Sequence, residues 1–231
     1  MTPTELMMLL PLAVLGAVLG LDVVSFPQAM ISRPIVASTL AGALIGQPGR
    51  GLVMGVALEF FALESMPFGA SRYPEWGSAS VVGGVLFAQT PDGTAASMTV
   101  AVLAALVTAS VGGSSMVVLR RANAFWARKQ QSRIARGSGS AVVALQLGGM
   151  TSDLLRGGLL TLVALLVFVP LHEAITATVS IGSTLSRAAV VAIASAVGLA
   201  AVWKVVHSTV GARWYLLGGL ALGFGISAVL P

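Results

Sequence analysis

Four stretches of this chain, Ala95 to Leu119, Leu155 to Leu171, Ala188 to Val206 and Trp214 to Leu230, are almost wholly apolar. Each is long enough to cross a bilayer, since about 20 helical residues span a hydrocarbon core of about 30 Å. A backbone inside hydrocarbon must satisfy its own N–H and C=O groups, which leaves α-helices or closed β-barrels. A barrel would show ten-residue segments of alternating polarity, and no such repeat is present. The expected class is all-α: a polytopic α-helical integral membrane protein. Composition agrees, because with 56% hydrophobic and 9% charged residues there are too few polar side chains to clothe a water-exposed globule. A further run, Leu6 to Leu21, follows Glu5 rather than a basic segment and lacks a clear small-x-small cleavage pattern. It reads as a retained helix.

The net charge of +5 raises nucleic acid as a partner, but the placement of the charges excludes it. Arg120, Arg121, Arg128, Lys129, Arg133 and Arg136 cluster in one acid-free segment directly after an apolar run, the positive-inside pattern of a cytoplasmic loop. Residues 120–136 therefore read as a cytoplasmic topology anchor. With Ala124, Phe125, Trp126 and Ile134 among the cations, the segment also suits an amphipathic helix at headgroup level. Alternating the spans from there puts Glu173 to Arg187 outside and Lys204 to Arg213 inside. Cysteine is absent, so disulfides, thiolate metal sites and a phosphocysteine relay are excluded within this chain. Walker A and Rossmann glycine patterns are absent too. His172, after Pro170, and His207, near Lys204, read as helix-end residues.

The chain reads as a single membrane domain, 1–231, with a seam at the basic segment and the following "GSGS". Residues 1–94 form a short-helix part and 95–231 a spanning-helix part. In the first part, Ile35 to Gly46 and Leu52 to Leu63 are about 18 Å each as helix, too short to cross. The "GQPGRG" between them marks a turn. Two short arms about a tight turn predict a re-entrant hairpin near residues 35–63, shielded by other protein or a watery cavity. Ser38, Gly42 and Gly46 on one arm and Gly51, Gly55 and Glu59 on the other recur every fourth residue, giving facing small-residue stripes. Pairing them about the turn sets Gly46 near Gly51, Gly42 near Gly55 and Ser38 near Glu59. Glu59 would then lie about two turns from the loop, near the bilayer midplane.

An ionisable group there costs about 2.5–3.5 kcal/mol on the insertion scale, so it faces a cavity, a partner or a pathway. Arg33 precedes the first arm and returns towards Glu59 if the hairpin is tight. Arg72 and Glu75 follow in "PFGASRYPEWG", whose glycines and prolines predict irregular backbone. Irregular backbone with buried charge is how transporters build midplane sites. Two readings of the charges stand: ion pairs that merely fix the hairpin, or a site in which carboxylate, guanidinium and amide groups meet sugar hydroxyls while Trp76 covers a ring face.

The segments "SRPIVASTLAGALIGQPGRGLVMGVALEFFAL" and "FGASRYPEWGSASV" resemble the IIC membrane subunit of the mannose/fructose/sorbose family of the bacterial sugar phosphotransferase system. The likeness holds in order and spacing from about Leu21 to Gly84 and continues more loosely through "LQLGGMTSDLLRGG" and "ARWYLLGGLALG". Arg33 and Pro34 match the family's Arg-Pro, Glu59 its Leu-Glu acid, Gly69 and Ala70 its Gly-Ala, and Pro74 with Glu75 its Pro-Asp. Gln28 lies where the family carries a glutamine before Arg-Pro. Glu64, Pro67 and Arg72 depart from the family's glycine, asparagine and small residue, which leaves the sugar's identity, and transport itself, open.

The resemblance implies a permease subunit that moves a hexose by alternating access, with phosphorylation by IIB as the sugar arrives. Its expected partners are a IID membrane subunit, cytoplasmic IIA and IIB units and further copies in an oligomer, at the bacterial inner membrane. The expected sugar contacts are Gln28, Ser32, Arg33, Ser38, Glu59, Gly69, Ala70, Arg72 and Glu75. No catalytic residue, cofactor or metal is expected on this chain, because the phosphohistidines belong to IIA and IIB. Two rivals keep the fold: a non-transporting regulatory or structural subunit, and an ion-coupled secondary transporter using Glu59 and Glu64.

Overall fold

The computed structural model describes residues 3–23, 25–63, 72–90, 93–179, 195–200 and 209–229, with a few isolated positions between 188 and 207. Its elements are α1 (Pro3–Asp22), α2 (Pro34–Leu44), α3 (Pro48–Ala62), α4 (Trp76–Ala88), α5 (Ala95–Lys129), α6 (Gln131–Ala135), α7 (Gly139–Thr178) and α8 (Ala212–Val229). Among the described residues there is no strand.

The centre of the bundle is the short α4, on which α1, α2, α3, α5 and α7 all pack. Its sequence, WGSASVVGGVLFA, is rich in small residues, and every position from Gly77 to Ala88 is buried. Small side chains let neighbouring backbones come close. A Cβ on Gly84 would stand 2.9 Å from Ser38 Cα, and one on Gly77 2.8 Å from the Leu19 carbonyl oxygen. Around it lie Leu12, Leu19, Met54, Leu58 and Leu165, all buried.

Among the described residues two helices, α5 and α7, are long and apolar enough to cross a membrane. At 35 and 40 residues they run about 52 and 60 Å, well beyond a hydrocarbon core. Each presents an apolar ridge outward at i, i+4 spacing: Leu103, Val107 and Val111 on α5, and Leu155, Leu159 and Val163 on α7. The segment 120–136 is not a loop. α5 stays helical through Lys129, and α6 follows after Gln130. Nothing in "RRANAFWARK" breaks a helix, and Arg128 and Lys129 in the last turn complement the negative end of the helix dipole. The turn falls instead at Gly137, whose φ of +78° suits glycine alone.

α7 begins at Gly139, well before Leu155, and runs unbroken through "LLRGG", whose glycines serve packing. Gly157 faces α1, a Cβ there standing 3.0 Å from the Gly16 carbonyl oxygen. Among the described residues α8 packs on no other helix, and Trp214 and Tyr215 are exposed. Most of the expected span from Ala188 to Val206 lies outside the described residues.

α2 and α3 pack antiparallel as the turn signal implies, but their register is one turn away from the expected one. Gly42 meets Gly51, a Cβ on Gly42 lying 2.8 Å from Gly51 Cα, and Gly55 meets Ile35. The cause is Pro48. It opens α3 as a favoured first helical residue, so the turn contracts to Ile45, Gly46 (φ +77°) and Gln47. Every pair moves one turn towards the hairpin base.

Candidate functional site

The shifted register brings Glu59 to Arg33 instead of to Ser38. The Arg33 Nη2 donates to Glu59 Oε1, and the Ile35 amide donates to Oε2 at 3.2 Å. Arg33 is the N-cap of α2 and supplies no capping side chain of its own, so the neighbouring helix's carboxylate takes an otherwise orphaned first-turn amide. Ser38 is buried and donates to the Ser80 carbonyl at 2.8 Å, which straps the hairpin to α4.

Before the hairpin, Asp22 closes α1 and organises the next ten residues. Its carboxylate accepts from the Ala29 amide (2.7 Å), the Ser32 amide (3.0 Å) and the Ser32 hydroxyl (2.8 Å). The loop so gathered holds Gln28 and Met30 at φ +58° and +61°, a region non-glycine residues seldom adopt. Together with the hairpin base and residues 73–76 it encloses a cavity of about 380 Å³, whose wall includes Asp22, Gln28, Ser32, Arg33, Tyr73 and Trp76. Three of the expected contacts, Gln28, Ser32 and Arg33, thus share one cavity, with Glu59 behind Arg33.

Glu75 does not join them. Pro74 and Trp76 line the cavity, whereas the Glu75 side chain turns inward, 1% exposed, and caps α4 by accepting from the Ser78 amide at 3.1 Å. A Cβ on Gly112 would stand 2.7 Å from Glu75 Cβ, so α5 seals it in. Arg72 is exposed, reaches Ser110 at 3.3–3.4 Å, and lines a separate cleft of about 120 Å³ with Trp76. Gly69, Ala70 and Glu64 lie outside the described residues.

A buried polar cluster adjoins the cavity. Arg156 pairs with Asp153 at 2.9 Å and donates to Ser115 Oγ at 3.1 Å. Ser25 donates to Asp153 at 3.2 Å, and Arg120 donates to the Tyr73 hydroxyl at 2.6 Å. None of Asp22, Tyr73, Arg120, Asp153 or Arg156 was singled out as a site residue from the sequence. The usable signals were an acid closing an apolar run at Asp22 and an i, i+3 acid–base pair inside an apolar helix at Asp153 and Arg156. His172 is not at a helix end: it lies within α7, buried, its Nε2 3.0 Å from Ser97 Oγ, and ties α7 to the start of α5. Among the described residues no three acids or histidines cluster as metal ligands.

Residues 6–230 match the family described as PTS system sorbose-specific IIC component. The chain is also similar to the fructose permease IIC component of Bacillus subtilis (strain 168), 26% identical over 163 residues. That stretch is 71% of this chain but 59% of the relative, less than two thirds of its length. Among solved structures, one described only as a membrane protein superposes with a TM-score of 0.70 at 20% identity, covering 97% of this chain and 88% of the other. The cryoEM structure of the mannose transporter ManYZ with microcin E492 superposes with a TM-score of 0.59 at 19% identity, covering 100% of this chain and 88% of that one. At such identities the structural likeness is one of fold.

Proposed function

This chain belongs to the family of sorbose-specific IIC components of the sugar phosphotransferase system, membrane components of sugar transport, and from that premise we propose that it is the sugar-translocating subunit of a phosphoenolpyruvate-dependent system of the mannose/fructose/sorbose type. The observation that carries this reading is the cavity at the hairpin base. Its volume of about 380 Å³ lies in the range of small-molecule sites, and its polar wall suits a hexose. Arg33 donates to hydroxyls, Gln28 both donates and accepts, Ser32, whose proton goes to Asp22, accepts, and Trp76 covers a ring face. Glu59 aims Arg33. Gly69 and Ala70 are further sugar contacts on the family likeness of their sequence, while Ser38, Arg72 and Glu75 support the wall from outside.

The rest of the mechanism follows from the same premise. α2 and α3, about 16 and 22 Å long, form a re-entrant hairpin that does not cross. Among the described residues the hairpin packs chiefly on α4 and not on α7, which supports alternating access by movement of hairpin and cavity relative to the long helices. Residues 1–231 act as one domain, 1–94 carrying the sugar and 95–231 the scaffold. The basic end of α5 and α6 faces the cytoplasm in a multi-pass protein of the bacterial inner membrane. A IID subunit, IIA and IIB are its partners, in an oligomeric assembly, and IIB phosphorylates the arriving sugar.

The test is uptake of labelled fructose, mannose and sorbose by vesicles carrying the chain with those partners. The expected result is accumulation of sugar phosphate that depends on phosphoenolpyruvate. Its absence for every hexose tried overturns the reading.

A further inference from the structure

A second polar cavity, of about 290 Å³, lies beside the first. Its wall includes Ser25 from the loop after α1, Arg120 and Asn123 from α5, and Gln146, Gly149 and Asp153 from α7. The two share no residue, yet little separates them. Tyr73 lines the first and Arg120 the second, and these two side chains touch: the guanidinium donates to the Tyr73 hydroxyl at 2.6 Å, and its carbon is 5.0 Å from the ring centre. Asp22 lines the first and Ser25, three residues on, the second.

The second wall carries a hydroxyl, a guanidinium, two amides and a carboxylate, a mixture of donors and acceptors that suits a neutral polyol. One of its acceptors is unspent: Asn123 Oδ1 is buried and has no hydrogen-bond partner among the described residues. A buried acceptor left unsatisfied is destabilising, so the cavity calls for a donor. Gly149 borders the same space, a Cβ there standing 3.4 Å from the Asn123 amide nitrogen in ordinary contact, so a larger side chain at this position would enter it. The cavity also lies towards the basic end. Residues 73–75 meet α5 at Ala109 and Gly113, and Asn123 is about 15 Å further along the helix from that level.

We propose that this cavity is a second hexose station on the basic side of the molecule, entered from the first past the Tyr73–Arg120 pair, which acts as the gate between them. The proposal rests on the transport reading above. It places the sugar, after translocation, next to the cationic face before release.

Each cavity has its own reporter. Trp76 lines the first, and the Trp126 ring lies 3.9 Å from the Cβ position of Gly148, beside the second. Two single-tryptophan forms of the full chain in nanodiscs, with the other tryptophans changed to Phe, are titrated with fructose, mannose and sorbose. Both emissions are expected to shift, with midpoints at least tenfold apart. Gly149→Leu should abolish the Trp126 response while leaving the Trp76 midpoint within twofold. If that variant does not fold, the isosteric Asn123→Leu should raise the Trp126 midpoint at least fivefold. Tyr73→Phe should speed the Trp126 response severalfold in stopped flow. A Trp76 response without a Trp126 response overturns the second station and leaves the first standing, as does a Trp126 response that survives filling the cavity. An unchanged rate in Tyr73→Phe overturns the gate. Silence of both tryptophans with all three sugars overturns the sugar-site reading and this proposal with it.

Discussion

Among the described residues arginine meets carboxylate twice in the apolar body of this chain, and the two meetings differ in what surrounds them. At the hairpin base the Arg33 and Glu59 side chains are 37% and 20% exposed, and Arg33 borders the larger cavity. Beside the α4 N-terminus the Asp153 and Arg156 side chains are 4% and 10% exposed, with Glu75 buried in the same region. The buried pair is tied down on both sides, Asp153 by Ser25 and Arg156 by Ser115. The Arg33 guanidinium hydrogen-bonds Glu59 alone among the described residues, although it carries five N–H donors. The residue types are the same. Deeper burial and bonding on both sides make the second pair a strut, even though Asp153 also borders the smaller cavity, whereas Arg33 keeps donors for a ligand at the larger one.

The largest expected effect breaks the strut. Arg156→Leu leaves Asp153 charged, buried and unpaired, which should cost about 3–5 kcal/mol, enough to prevent recovery of a folded, monodisperse protein. Size-exclusion behaviour and thermal unfolding in detergent measure it. A variant as stable as the parent would show that the cluster bears no structural load, and the contrast with the hairpin base would lose one of its two sides.

The same contrast explains how far the sequence could be read. The long helices were legible because apolar runs of spanning length permit little else, and the hairpin was legible because Pro48 and the glycines around it punctuate two short arms. Register was not, because "GQPGRG" does not say where the turn stops: only its Gly46 and Gln47 belong to the turn, together with Ile45. Pro48 is a turn residue by composition and a first helical residue by position. Glu75 was legible as important but not as what it is, since an acid after proline reads alike as a ligand contact and as a helix cap. The Asp153–Arg156 pair sits at an ordinary i, i+3 helical spacing, but its link to Ser25 joins residues 128 positions apart. Only packing brings them together.

An intermediate effect falls on the open pair. Glu59→Gln keeps the side chain's volume but removes the charge that aims Arg33. A hydrogen bond to a charged group is worth about 1.5–3 kcal/mol, so sugar affinity should fall roughly 10- to 150-fold. A partly exposed ion pair contributes only about 0.2–1 kcal/mol to stability, so unfolding should barely move. Equilibrium dialysis with labelled sugar, set beside thermal unfolding, reads both. Unchanged affinity would make Glu59 a strut as well.

The smallest expected effect is the sharpest comparison, because it is the same substitution in the other region. In Glu75→Gln the amide oxygen can still accept from the Ser78 amide, as Oε1 does now at 3.1 Å, so the cap on α4 survives. The second oxygen has no hydrogen-bond partner among the described residues, so little bonding is lost there. Removing a buried charge also removes its desolvation cost, which offsets the lost attraction to nearby Arg156. Stability should stay within about 1 kcal/mol of the parent, and sugar affinity within about twofold, since the side chain does not reach the cavity. Glu59 and Glu75 were both expected to touch sugar, and one pair of dialysis curves separates them. If Glu75→Gln weakens binding as much as Glu59→Gln does, burial is no guide to function here, and the inward-facing cluster takes part in the sugar's path.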